Sequence, residues 1–158
     1  MKTRIKISLM ALSAVAIASC TGKNSNSSGE AQPQATSAQA FIKGQWDLEK
    51  IVFSDSDYVC PGEEVPGAGQ YITFEDSAYF IRTNCNSLSG FYTVNGDSIT
   101  LYDGIMTEMA CDNMATEDAL RRILPSITTI CAENDTIVRL GGSNPSEYIV
   151  LKKVQAKQ

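Results

Sequence analysis

From Gln45 onward, large apolar residues recur at alternate positions in short runs, and clusters of Gly, Asn, Asp, Ser and Pro separate the runs. That alternation, bounded by turn residues, is the pattern of strands with one buried face. "QWDLEKIVF" (residues 45–53) offers Trp46, Leu48, Ile51 and Phe53 to a core. Residues 55–69, "DSDYVCPGEEVPGAG", have the Pro, Gly and acidic content of a long loop. "QYITFED" and "AYFIRTN" are two β-rich runs with a turn at Asp76-Ser77. "FYTV", "NGD" and "SITLY" form the clearest hairpin, because Asn95-Gly96 suits a tight turn that needs positive φ. The β-branched run at 127–130, then "TIVRL" and "YIVLKKV", continue the strands, with "AEND" and "GGSNPSE" turning between them.

One stretch breaks the alternation. Leu120, Ile123, Leu124 and Ile127 follow helical spacing, which puts Arg121 and Arg122 on the outer face. Thr116, Glu117 and Asp118 supply a cap candidate and negative charge at the start, and Pro125 stops the helix near Leu124. The pattern predicts one packed helix over 115–124 and seven to nine short strands. Connections this short favour antiparallel pairing. The expected class is α+β, a small curved antiparallel sheet or partly closed barrel.

Upstream the pattern vanishes. Residues 1–19 begin with Lys2, Arg4 and Lys6 and continue as an apolar run rich in Ala and Ser, which reads as a secretory signal and is too short to favour a spanning helix. Ile17-Ala18-Ser19-Cys20 resembles the lipobox of bacterial lipoproteins, which implies cleavage before Cys20 and lipid attachment there. Residues 20–40 hold no aromatic and no large aliphatic residue, so they read as a disordered tether spanning roughly 25 Å. Residues 41–154 make the folded domain and 155–158 a tail. No acidic run follows Cys20, and the expected position is the bacterial cell envelope, lipid-anchored in the outer membrane and facing the periplasm.

Cleavage changes the charge. The chain has 13 basic and 18 acidic residues, net −5; losing Lys2, Arg4 and Lys6 makes it 13 − 3 = 10 against 18, net −8. So acidic a body is a poor match for nucleic acid, and the acyl chains rather than the protein surface would hold the membrane. Four cysteines then remain, Cys60, Cys85, Cys111 and Cys131. An even number in an exported chain favours disulfides, and four allow three connectivities.

Histidine is absent. That excludes Ser-His-Asp and Cys-His catalysis and removes the commonest catalytic metal ligand. The cysteines lie 25, 26 and 20 residues apart, so neither a zinc knuckle nor a redox Cys-x-x-Cys is present. No phosphate loop and no EF-hand spacing appears, and no cofactor or metal is implied. Glu63-Glu64, in a Gly/Pro loop, is at most a weak calcium candidate. Asp76-Ser77-Ala78, Asp97-Ser98-Ile99 and Asp135-Thr136-Ile137 look like the Asp–Ser/Thr–apolar acceptors of some envelope O-glycosylation systems, which makes Ser77, Ser98 and Thr136 candidates. Turn chemistry before a strand produces the same triplet.

"NCNSLSGFYTVNGDSITL" followed by "IMTEMACDNMATEDALRRIL" resembles the META/HslJ domain family. The first motif is carried by Cys85, Asn86, Gly90 and Tyr92, the second by Thr107, Met109 and Cys111, with Glu117 leading the helix. Trp46 and Leu48 match the family's opening strand, and Asn84 stands where glycine is common. The resemblance implies a curved antiparallel sheet with a helix packed on it and no established catalytic residue. It also implies that Cys85 pairs with Cys111, the two motif cysteines; Cys60 pairs with Cys131 by remainder. Members are often envelope lipoproteins, some linked to stress tolerance. The expectation is therefore a non-enzymatic envelope lipoprotein, bound to the membrane through its lipid, whose partner is an envelope protein or a glycan. The alternatives are a carboxylate-based enzyme acting on envelope glycans and a purely structural spacer.

Overall fold

In the opening strand the inward positions change parity. Trp46 and Leu48 face the core at even positions, then Ile51 does so at an odd one. A bulge at Glu49 causes the change, because the pairing with the last strand slips between Leu48 and Lys50. The computed structural model describes residues 38–154. The predicted signal sequence, Cys20 with most of the predicted tether, and the predicted tail at 155–158 lie outside them.

A short helix α1 (Ala38–Ile42) precedes β1 (Gly44–Val52). It begins inside the stretch read as tether, because Ile42 is fully buried and its carbonyl accepts the Trp46 indole N–H at 2.6 Å. The loop at 55–69 carries a two-residue strand β2 (Tyr58–Val59) and one helical turn α2 (Pro61–Glu64). The predicted hairpins follow as β3 (Tyr71–Phe74), β4 (Ala78–Arg82), β5 (Ser87–Asn95) and β6 (Ser98–Leu101). After β7 (Ile105–Met106) comes the helix α3 (Ala115–Ile123), then β8 (Ile127–Asn134), β9 (Ile137–Gly142) and β10 (Tyr148–Lys153). Pro125, which has no N–H for a helical bond, sits in a 3-10 turn between α3 and β8.

The β5–β6 turn sits one residue later than expected. Asn95 pairs with Ser98, which leaves Gly96-Asp97 as the central residues. Of these only Gly96 has positive φ, the arrangement of a type II′ turn.

Eight strands close a barrel in the order β1, β3, β4, β5, β6, β8, β9, β10, and β10 pairs back onto β1. All pairings are antiparallel; β2 extends the β1 edge and β7 pairs with β5. The weakest seam is β6–β8, joined by the single pair Ser98 and Thr129. Inward side chains, among them Trp46, Phe74, Tyr92, Ile99, Leu140 and Ile149, fill the interior. Alternating strand directions put the short turns β3–β4, β5–β6 and β8–β9 at one end, with α1. The long connections and α3 cover the other.

Candidate functional site

The motif residues meet at the end covered by α3. Between β4 and β5 the chain turns through Thr83, Asn84, Cys85 and Asn86. The Thr83 hydroxyl accepts the backbone N–H groups of Cys85 at 3.2 Å and Asn86 at 2.8 Å, and donates to the Asn86 carbonyl at 2.9 Å. This side-chain turn presents Asn86, itself buried, to the long loop after β6. The Asn86 side-chain oxygen accepts the Thr107 hydroxyl and the Met109 N–H, both at 2.8 Å. Its amide nitrogen donates to the Met109 carbonyl at 2.9 Å and to both oxygens of Glu117, at 2.8 and 3.0 Å.

Glu117 is wholly buried near the start of α3. Arg121, one turn later, donates to it at 3.1 Å and supplies the countercharge. A disulfide joins Cys85 to Cys111, with 6.1 Å between the Cα atoms, as the motif resemblance implied. Cys85, Asn86, Thr107, Met109 and Glu117 thus form one clamp between the β4–β5 turn, the long loop and the helix. Their polar groups are spent on one another.

The other two motif residues pack the barrel wall. A Cβ on Gly90 would stand 2.7 to 2.8 Å from the phenol of Tyr79, so only glycine lets that ring cross the strand. The Tyr79 hydroxyl donates to the Tyr102 carbonyl at 3.1 Å. Tyr92 lies edge-on to Phe74 with 5.0 Å between centroids, and its hydroxyl donates to the Glu75 carbonyl at 2.5 Å. Burial pushes both phenols above their ordinary pKa; nearby Asp103 adds to the effect at Tyr79, and Lys43 opposes it at Tyr92.

The expected Cys60–Cys131 disulfide is not formed. Cys60 follows β2, on the β1–β3 side of the barrel, and Cys131 is on β8. Either way round the ring, β3 and β8 are four strands apart, well beyond the roughly 7 Å Cα limit for a disulfide. Burial pushes the Cys60 thiol up, and Glu63 adds to it, so the thiolate is disfavoured.

Glu64 proves to be a helix cap. Its carboxylate accepts the backbone N–H groups of Ala115 at 2.6 Å and Thr116 at 2.9 Å, and also the Thr116 hydroxyl. The predicted cap candidate Thr116 lies one residue inside the helix, after Met114 at the cap position. Among the described residues no three His, Cys, Asp or Glu side chains converge as metal ligands would. The carboxyl of Asp76 is held below its ordinary range by the Lys43 ammonium 2.5 Å away, the opposite of what a catalytic acid needs. Ser77, Ser98 and Thr136 are all exposed at the turn end of the barrel.

Beside the clamp the outer barrel face carries a groove of about 450 Å³. Strand register builds it: Tyr71, Arg82 and Ser87 lie side by side across β3, β4 and β5, with Phe80 diagonal to Tyr71 at 6.4 Å between ring centroids. Met109, 58 % exposed, closes the far wall. Further along the face, Phe91 and Ile105 are also exposed. Sequence reasoning did not place Arg82 or Thr83 at a site, and it marked Asn84 only as standing where glycine is common.

The META domain family model matches residues 39–155. Two solved structures share the fold. A protein from Burkholderia xenovorans, solved by NMR, is 18% identical with a TM-score of 0.62, over 86% of this chain and 100% of its own. A duf4847 family protein from Bacteroides vulgatus ATCC 8482 is 11% identical with a TM-score of 0.55, over 74% of this chain and 96% of its own. No curated protein matches the chain.

Proposed function

Because the chain belongs to the META domain family, we propose that it is a lipid-anchored envelope domain that works by binding a partner rather than by catalysis. The observation that carries this reading is the clamp. The residues with the most chemical potential, Cys85, Asn86 and Glu117, are consumed by a disulfide and by mutual hydrogen bonds. What the domain offers outward is a rigid barrel face with exposed Phe80, Phe91 and Ile105. Exposed apolar side chains on a rigid scaffold suit contact with a partner. The disulfide supports an oxidising compartment outside the cytosol, as does the lipobox at Cys20. A role in envelope maintenance or stress tolerance fits such a module.

Crosslinking in intact envelopes, followed by pull-down of the full chain, tests the proposal. The expected result is a specific partner, captured from the membrane fraction and lost when Phe91 and Ile105 are changed to serine. Recovery in the soluble fraction, or a crosslink pattern indifferent to those changes, would count against it.

A further inference from the structure

We infer that the groove beside the Cys85–Cys111 disulfide binds an acidic sugar, its ring against Phe80 and Tyr71 and its carboxylate on Arg82. The inference rests on the binding role proposed above and names the ligand class.

Arg82 is the first ground. The other described arginines are each engaged: Arg121 with Glu117, Arg122 with Asp57 and the Phe53 ring, Arg139 with Glu133 and the Tyr148 ring. Arg82, exposed at the end of β4, makes no ion pair, side-chain hydrogen bond or ring contact within the described residues. The chain carries 18 acidic residues against 13 basic ones. A guanidinium left unpaired on so acidic a protein is placed for an external anion, and its planar fork matches a carboxylate.

The surroundings select the kind of anion. Tyr71 and Phe80, tilted at 49° to each other, line the groove beside Arg82, and the apolar face of a pyranose packs on such rings. Asn84, another residue of the lining, donates its side-chain N–H to the Asn113 carbonyl at 2.7 Å, which fixes the turn beside the groove. A peptide is disfavoured because it binds a sheet by adding a strand, and β4 is paired along its length with β3 and β5.

Titration calorimetry on the full chain tests this with three probes: tri-galacturonate, neutral maltotriose and a glutamate-rich hexapeptide. Tri-galacturonate should bind at least tenfold more tightly than either of the others. A charge-assisted pair of this kind makes the expected loss in Arg82→Gln about tenfold or more. Phe80→Ala should also weaken binding, and Arg139→Gln should leave it unchanged. Equal binding of maltotriose, tighter binding of the peptide, indifference to Arg82→Gln in a folded variant, or no binding of tri-galacturonate would each overturn the inference. The crosslinking result separates the two proposals: a protein partner lost with Phe91 and Ile105, without uronate binding, keeps the contact role and discards the sugar.

Discussion

Asn86 holds Glu117 by a two-oxygen hydrogen bond, at 2.8 and 3.0 Å, across 31 residues of sequence. With the same side chain it holds both backbone groups of Met109. Asn86→Ala would leave a buried carboxylate facing an empty space and two Met109 groups unpaired. The expected cost is about 3 kcal/mol. Urea unfolding of Asn86→Ala, Glu117→Ala and the double variant measures it, and the double variant should lose clearly less than the sum. Additive losses would mean the two side chains act independently.

The disulfide closes a loop of 26 residues. Changing both Cys85 and Cys111 to serine should cost about 3 kcal/mol in the chain-closure account. Hydrogen exchange should quicken mainly between Asp103 and Asn113, where the hydrogen bonds from Asn84 and Asn86 and the β5–β7 pairing would be the remaining ties. Non-reducing peptide mapping should recover the Cys85–Cys111 pair and no peptide joining Cys60 to Cys131.

Gly90 is a steric test. Gly90→Ala should destabilise by roughly 1–3 kcal/mol through overpacking against Tyr79. Pairing it with Tyr79→Leu should recover part of that loss, although the Tyr79 hydroxyl bond to Tyr102 goes too. A Gly90→Ala protein as stable as the wild type would show that the Tyr79 ring has room to move.

The exposed pair Lys43–Asp76 gives a pH signature. Asp76 is lowered from its ordinary value of 3.8, chiefly by the hydrogen bond from Lys43, so its contribution is present above that value and is lost as pH falls through the lower folded pKa. Lys43 is raised from 10.5, chiefly by the same hydrogen bond, so its contribution is present below 10.5 and is lost as pH rises through the higher folded pKa. In Lys43→Met, the Asp76 carboxyl should titrate at higher pH by NMR, and the stability gap from wild type should close in strong acid.

Intact mass of the native protein tests the proposed modifications. We expect a chain that begins at Cys20 and carries lipid, and Cys20→Ala should leave the membrane fraction. Glycans on Ser77, Ser98 or Thr136 would add mass beyond chain plus lipid. A mass equal to chain plus lipid would discard them.

Strands, hairpins and helix were legible because each is a local pattern. Alternation gave the runs, and Pro125 gave the end of the helix. Barrel closure was harder to read, since it depends on β10 meeting β1 across nearly the whole folded chain. The Glu49 bulge was visible only as the odd spacing of Trp46, Leu48 and Ile51. At the site, the motif resemblance marked the right residues but not their job, which arises from contacts more than 20 residues apart. The remainder rule failed for Cys60 and Cys131 because parity in a count carries no geometry. Glu64 shows the same limit: a loop carboxylate became a cap only once α2 and α3 were neighbours.

The alternation of strand direction has a practical consequence. The chain enters β1 and leaves β10 at the same pole, where Val154 donates its N–H to the Gln45 carbonyl at 3.2 Å. The groove with Arg82 opens at the opposite pole. A reporter fused after the last strand would therefore start from the pole away from the groove and leave it clear, whereas an insertion in the loop that holds Met109 would obstruct it.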